Sequence, residues 1–227
     1  EASRIVTLMG DAGATATRSG EGPSARDRHF AVGGLRATAR LSGTLSMGGG
    51  VSRSAFDETA QLIQSAIGTT SWTAEAELQL PSRLAVSGGG EVAKLDGGSV
   101  SNRRHAGFAA LRWQPRRFFS LALVGRGFNY AKSPRDGYFS PAHFRLGELS
   151  ARYRLGRDLG WALSTELGIG VQRVEFVGPA TTSGTQRLGL SLAYRPRPGV
   201  ELALKYEFSN VAAAGAVSLA AGSLYHA

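Results

Sequence analysis

The chain has 227 residues, including 31 glycines, 8 prolines and no cysteine, and its 26 lysines and arginines against 17 acidic residues give a net charge of +9. Glycine is about twice as frequent as in an average protein, which disfavours a helical bundle, and the lack of cysteine excludes disulfide frameworks, cysteine-bearing zinc sites and thiol nucleophiles. A hydrophobic fraction of 42% excludes a disordered chain, while the positive charge makes anionic partners plausible, nucleic acid included.

No stretch of the sequence approaches the ~20 consecutive apolar residues that a membrane-spanning helix needs, which excludes a helical inner-membrane protein. Strands of an outer-membrane barrel need only ~9–11 residues each, so that class stays open. The chain begins with Glu1 rather than Met, and we therefore expect a mature or excised single domain over residues 1–227, without its signal peptide.

Large apolar residues alternate with small or polar ones along most of the chain. Between Val200 and Ser209, for example, every even position is apolar and large, and every odd position is polar or small. This period of two is typical of strands with one apolar face. In chain order it predicts about twelve strands, near 3–18, 29–41, 44–56, 71–80, 83–94, 103–113, 118–130, 142–155, 160–176, 185–194, 200–209 and 215–225.

The segments between these strands alternate between short turns and longer loops. All eight prolines fall between the alternating runs, as expected when the strands are internal to a sheet. The alternation slips phase around residues 126–128 and around Gly147-Glu148, which we interpret as bulges or errors of strand boundary. Short turns, longer loops and an even strand count are typical of a transmembrane barrel.

A soluble β-sandwich would show the same alternation, and the composition of the polar faces helps to separate the two. These faces carry glycine and serine as well as charges, as at Gly48 and Gly50 or Gly168 and Gly170. Small residues suit a closed polar lumen better than an open solvated sheet. The predicted fold is all-β, an antiparallel up-and-down transmembrane β-barrel of about twelve strands, with a soluble sandwich or small barrel as the alternative.

The strand phase predicts which charged side chains face the lumen. Beyond the lumen-lining set given at the end of this paragraph, Glu91, Glu148 and Glu201 are expected to face inward. Ion pairs between inward carboxylates and inward arginines are expected because buried charge needs partners. Two interpretations stay open: a structural network that fills the barrel, and a cationic pathway for an anionic sugar or other solute. The predicted lumen-lining residues are Arg36, Arg40, Glu75, Glu77, Arg112, Arg126, Arg152, Arg154, Glu166, Arg187, Lys205 and Glu207.

Aromatic residues cluster near the predicted strand ends, where a membrane barrel carries interfacial girdles. The expected girdle residues are Trp72, Trp113, Phe119, Trp161, Tyr194 and Phe208. Further basic residues are expected in the longer loops, where they could pair with lipopolysaccharide phosphates, namely Arg26, Arg28, Arg103, Arg104, Lys132 and Arg135.

The segment Gly137-Tyr138-Phe139-Ser140-Pro141, in a loop before a strand, resembles the C-terminal barrels of bacterial exopolysaccharide export proteins. Similar cues are Phe56–Ala60 before an apolar stretch and Asp96-Gly97-Gly98 between two strands. The cellulose synthase operon protein C and the YaiO-type outer-membrane barrels are the families it resembles. The resemblance implies an outer-membrane location and a polysaccharide cargo, with a periplasmic tetratricopeptide-repeat scaffold as partner. The cellulose exporter's barrel has more strands, so this chain is either a smaller relative or a piece of a larger pore.

The chemistry-bearing residues do not form a recognisable catalytic site. The four histidines show no metal-ligand spacing, and no cofactor is expected. His143 near Ser140 is a weak candidate for a hydrolase pair, without a nucleophile motif. Glycine triplets at 48–50 and 88–90 lie inside strands rather than before a helix, so they do not form a phosphate loop.

The sequence therefore predicts a non-enzymatic outer-membrane pore or export channel, a porin-like transport protein for an exopolysaccharide or other anionic solute. The alternative is a non-conducting barrel that serves as membrane anchor or assembly scaffold. Outer-membrane lipid and lipopolysaccharide are expected partners. Nucleic acid is not expected, because no recognition motif accompanies the charge.

Overall fold

A computed structural model of the chain describes residues 5–19, 26–55, 67–97, 101–133, 139–156, 160–197 and 200–212. These residues form eleven strands and one 3-10 turn, Pro81–Arg83. Among them there is no helix of the length and apolar character that crossing a membrane requires. The strands are β1 Ile5–Ser19, β2 Arg26–Arg40, β3 Leu45–Ala55, β4 Gly68–Leu80, β5 Leu84–Asp96, β6 Asn102–Arg116, β7 Phe119–Tyr130, β8 His143–Gly156, β9 Gly160–Glu175, β10 Thr181–Arg197 and β11 Val200–Ser209.

All eleven strands belong to one antiparallel sheet whose spatial order is the order of the sequence. Each strand pairs with its neighbours in the chain, from β1 with β2 through to β10 with β11. This confirms the predicted class, an all-β, antiparallel, up-and-down fold. Within the described residues β1 pairs only with β2 and β11 only with β10, and the twelfth strand predicted over residues 215–225 lies outside them.

The short and longer connections lie at opposite ends of the sheet, as the sequence predicts. The short ones join β2 to β3, β4 to β5, β6 to β7, β8 to β9 and β10 to β11. At the second of these, Ser82 and Arg83 both take positive φ, 61° and 62°. Positive φ at two successive residues matches the primed turns that suit the twist of a hairpin. We call the two ends of the sheet the short-turn end and the long-loop end.

Two prolines lie inside strands, so the prediction that all eight fall between them is wrong. Pro115 lies in β6 between Trp113 and Arg116, where the pairing with β7 shifts register. Pro196 lies in β10 between Tyr194 and Arg197, where the pairing with β11 shifts in the same way. A bulge leaves residues outside the regular ladder, which removes the need for the N–H that proline lacks. Both bulges are at the short-turn end.

One face of the sheet, which we call the outer face, carries large apolar side chains that are exposed over much of their surface. Leu123 of β7 is 59% exposed and Ile169 of β9 is 64% exposed. Soluble monomers rarely leave a continuous apolar surface of this kind uncovered. Other members of the outer face with exposed side chains are Leu8, Leu35, Val51, Trp72, Val92, Leu111, Leu149, Leu167, Val171, Leu190, Leu202 and Leu204.

The large buried apolar residues gather at the long-loop end, on the side of the opposite, inner face. Phe144 is 1% exposed and its ring stacks on that of Phe128, with centroids 4.8 Å apart. We call this group the inner cluster; its buried members are Ile67, Ala93, Leu95, Phe128, Tyr130, Phe144, Leu146 and Val211.

The inner cluster corrects the interpretation of the two phase slips. The pairing of β7 with β8 runs without a shift from Phe119 opposite Tyr153 to Phe128 opposite Phe144, so no bulge interrupts it. The apolar residues change face because the inner face itself becomes apolar at the long-loop end, where the inner cluster packs. The slips are therefore a real change in the polarity of the face and not an irregularity of the backbone.

Candidate functional site: the charged inner face

Cross-strand partners in an antiparallel sheet lie on the same face, so the register carries a face from strand to strand. Arg36 on β2 is opposite Gly50 on β3, Gly50 is opposite Thr73 on β4, and Thr73 is opposite Glu91 on β5. The same row reaches Phe144 on β8. Continued through the remaining pairings, the register places all twelve predicted lumen-lining residues on this inner face.

A first group of ion pairs lies on the inner face of β2 to β6. Arg36 pairs with Glu75, and Arg112 Nη2 lies 3.4 Å from Glu77 Oε1. Glu77 is buried and also accepts a hydrogen bond from the side chain of Gln79. The two carboxylates of β4 therefore pair with arginines on β2 and β6, and neither of these strands is a direct neighbour of β4.

A second group joins β8, β9 and β10. Arg152 donates to Glu166 Oε2 from both Nε, at 3.1 Å, and Nη2, at 2.6 Å. Arg187 bridges two carboxylates, with Nη1 2.5 Å from Glu166 Oε1 and Nη2 2.7 Å from Glu148 Oε1. Arg152, Glu166, Arg187 and Glu148 thus form one continuous chain of charge.

Three of these pairs reach across an intervening strand, and small residues make that reach possible. Strands two apart are separated by roughly 10 Å, so a side chain on the middle strand would stand in the way. A Cβ added to Gly48 would lie 3.1 Å from Glu75 Oε1, and one added to Gly168 would lie 2.8 Å from Glu148 Cδ. The inward glycines in the sequence therefore provide space for ion pairs.

Five of the twelve predicted residues join no ion pair within the described part of the chain. Arg40, Arg154, Lys205 and Glu207 are exposed, toward the short-turn end or on β11. Arg126 on β7 is half-buried, and its Nε has no hydrogen-bond partner among the described residues. Glu148 attracts its charge electrostatically and Arg187 repels it. Positive charge on the inner face is thus compensated on most strands and left over on a few.

Three members of the network were not among the predicted lumen residues, although two were noted as inward carboxylates. Arg104 Nη2 lies 2.6 Å from Glu91 Oε1, and both side chains are largely buried. Arg104 was expected in a loop, but β6 begins at Asn102 and places it on the inner face. Glu148 is 4% exposed and its Oε2 has no partner among the described residues. Its burial depends on close contact with Gly168 on β9 and Arg187 on β10, which strand phase does not reveal.

All six predicted girdle aromatics lie on the outer face. Trp161 on β9 is directly opposite Tyr194 on β10, with ring centroids 4.7 Å apart. Trp113 and Phe119 lie beside the β6–β7 turn, at the same end of the sheet. Trp72 lies near the start of β4, and Phe208 lies next to the end of β11. Four of the six therefore gather at the short-turn end.

The weak hydrolase candidate is not assembled. Ser140 is buried, with its carbonyl accepting a hydrogen bond from Ser133 Oγ, whereas His143 is exposed on the outer face. Across the described ranges, no group of three or more His, Asp or Glu side chains is placed to hold a metal ion. The arrangement on the inner face is one that binds or screens charge.

No protein-family model matches the sequence, and no curated protein matches it. Among solved structures, the chain is similar to one described as a bacterial polysaccharide outer membrane secretin, with a TM-score of 0.62 at 15% sequence identity. The similarity covers 81% of this chain and 66% of that one, so the chain spans just under two thirds of that structure's length. At this identity the similarity supports the fold alone. It does not assign the chain to the cellulose synthase operon protein C family or to the YaiO-type family.

Proposed function

We propose that the protein spans a bacterial outer membrane as a β-barrel and serves polysaccharide export, with the charged inner face as the wall of the passage. The observation that carries this proposal is the division of one sheet into an exposed apolar face and a charged face with paired side chains. Membrane barrels are built in this way, because lipid surrounds them and water fills them.

The leftover positive charge suggests what would pass. Arg126, Arg154 and Lys205 lie on the inner face without ion pairs in the described residues, and an excess of such cations over unpaired acids, of which Glu207 is one, favours anionic solutes. The solved structure with the similar fold is described as a polysaccharide secretin, which makes an anionic polysaccharide the cargo class that we propose. The resemblance of the Tyr138–Pro141 segment to exopolysaccharide export barrels points the same way. It adds a periplasmic tetratricopeptide-repeat scaffold as the expected partner, and we propose no catalytic role.

A second function is favoured by the inner cluster. Phe144 and Tyr130 are buried at the long-loop end of the inner face, where a passage would have to open. If these side chains stay packed, the barrel conducts nothing and acts as a membrane anchor or assembly scaffold.

Single-channel recording in planar bilayers separates the two functions. We expect the wild-type protein to conduct with anion preference, and the double variant Arg126→Gln/Arg154→Gln to lower the anion-to-cation permeability ratio by about twofold or more, because rings of charge set pore selectivity. Arg53→Gln removes an exposed arginine of the outer face and should leave the ratio unchanged. Absence of current from both the wild type and a Phe144→Ala variant would contradict the pore and support the anchor.

A further inference from the structure

On β6 to β9 the outer face changes character near the long-loop end, where polar and basic side chains replace leucine and valine. A depression of about 280 Å³ lies there on β6, β7 and β8. Its floor is formed by Gly107 and Gly127, which are directly opposite each other. His105, His143 and Arg145 surround this floor, so it has cationic and hydrogen-bonding walls.

Arg145 and Arg173 form a pair of like charges beside this depression. They are direct cross-strand partners on β8 and β9, both are exposed, and neither has an ion pair in the described part of the chain. Glu175, opposite His143, is the nearest acid in the register and is not bridged to either arginine. Like charges directly opposite each other destabilise a sheet, and an anion between them would remove that cost.

A second pair of like charges at the same end is compensated by a carboxylate of the protein itself. Lys94 on β5 is opposite Arg103 on β6, and Lys94 Nζ lies 3.0 Å from Asp96 Oδ1. In the described residues no carboxylate is bridged to Arg145 or Arg173, which makes this pair the better place for an external anion.

An apolar depression of about 520 Å³ lies on β8 to β10, farther from the long-loop end than the polar one, and the two share no lining residue. Leu149, Ile169 and Val171 line it, and a Cβ at Gly184 would meet nothing within 4 Å. Val171 lies two residues from Arg173 along β9, which is roughly 7 Å in a strand. A molecule with an anionic head and an acyl chain would fill both depressions at once.

We propose that this outer surface of β6 to β10 binds a phosphorylated glycolipid of the outer leaflet. One phosphate lies between Arg145 and Arg173, within reach of the imidazole of His143, and one acyl chain occupies the groove along Leu149 and Val171. Arginine is suited to phosphate because it can donate two parallel hydrogen bonds. The inference rests on the proposed outer-membrane location, since the longer loops of such barrels face the outside and bring this surface to the outer leaflet.

The test is a titration of the full chain, purified in a neutral detergent, with fluorescent lipid A. We expect Arg145→Gln/Arg173→Gln to raise the Kd about tenfold or more, because two charge-assisted contacts to phosphate are lost. Lys94→Gln/Arg103→Gln is the matched control: it removes the same charge from the same face and end, outside both depressions. Its Kd should stay within about twofold of the wild type, since exposed charges act weakly at moderate salt.

Equal losses in the two double variants, or no loss in either, would overturn the proposal in favour of general charge attraction. Gly184→Leu, which fills the apolar depression and leaves both arginines in place, should also weaken lipid A binding. A deacylated diphosphorylated disaccharide is expected to bind far more weakly than lipid A; equal binding would show that the site takes a free phosphate sugar. Because binding is read in detergent and conductance in a bilayer, a conducting protein that fails to bind lipid A refutes this inference alone.

Discussion

Gly168 on β9 lies beneath the carboxylate of Glu148, which extends from β8 toward Arg187 on β10. Any side chain at this position would push the carboxylate away from its arginine and leave two poorly paired charges on the inner face. The glycines at such positions therefore determine which ion pairs can form.

At Gly168 we expect substitution by valine to lower the free energy of unfolding by roughly 1–3 kcal/mol, because the added atoms overpack a closed site. Gly125→Val is the matched control, since a Cβ there meets nothing within 4 Å and valine favours strands. Urea titrations in detergent micelles measure both. A Gly168→Val protein as stable as the control would show that Glu148 can move without cost.

Much of the inner face could be predicted from the sequence because side chains alternate with a period of two. That rule placed Arg36, Glu75 and Arg187 on one face, as the register shows. It could not give the partners, because Arg187 reaches Glu148 across β9 and the alternation within a strand contains no information about neighbours two strands away. The roles assigned to these residues stay predictions until conductance is measured.

At the scale of elements, β7 and β8 each have two parts of opposite polarity. Toward the short-turn end their outer positions are apolar, as at Leu123 and Leu149, and toward the long-loop end their inner positions are apolar, as at Phe128 and Phe144. The first arrangement suits strands surrounded by lipid, and the second suits a small water-facing domain with its own core.

We expect Phe144→Ala to lower the free energy of unfolding by about 3–5 kcal/mol, because it empties a fully buried aromatic site. Leu123→Ala removes an exposed apolar side chain from the outer face of β7 and should cost much less. Chemical unfolding followed by tryptophan fluorescence compares the two variants. Equal losses would mean that the inner cluster is not a core.

The change of polarity and the two prolines in strands show where prediction from period alone fails. A strand that exchanges its apolar face halfway gives the same pattern as a strand with a bulge, so residues 126–128 were assigned to the wrong cause. Pro115 and Pro196 were placed in turns because proline breaks a regular ladder, yet a register shift accommodates each of them. Both cases depend on the partner strand, which a single sequence does not show.

At the scale of the whole molecule, the meander sends all short connections to one end and all longer ones to the other. The proposed orientation puts the short-turn end in the periplasm. Because the chain has no cysteine, single cysteine substitutions can report this orientation without background labelling.

We expect Ser101→Cys, between β5 and β6 at the long-loop end, to react with a membrane-impermeant maleimide on intact cells. Gly43→Cys, in the β2–β3 turn, should react only after the outer membrane is permeabilised. Both positions are exposed, so both should label fully in detergent, which controls for reactivity. The reverse pattern on intact cells would contradict the orientation and, with it, the lipid site assigned to the outer leaflet.

The long strands have a further consequence for the proposed fit of the protein in an outer membrane. β10 has 17 residues, which is roughly 56 Å of strand, or about 43 Å of height at the ~40° tilt of such barrels. The apolar band of an outer-membrane barrel is only about 25 Å tall. In the proposed membrane orientation the ends of the strands therefore do not mark the membrane boundary; on β9 the change from Val171 to Arg173 on the outer face marks it instead. Hydrophobic mismatch would then be set by where such changes fall on the individual strands, so moving the change on β9 by two residues should alter the preferred bilayer thickness while leaving the fold intact.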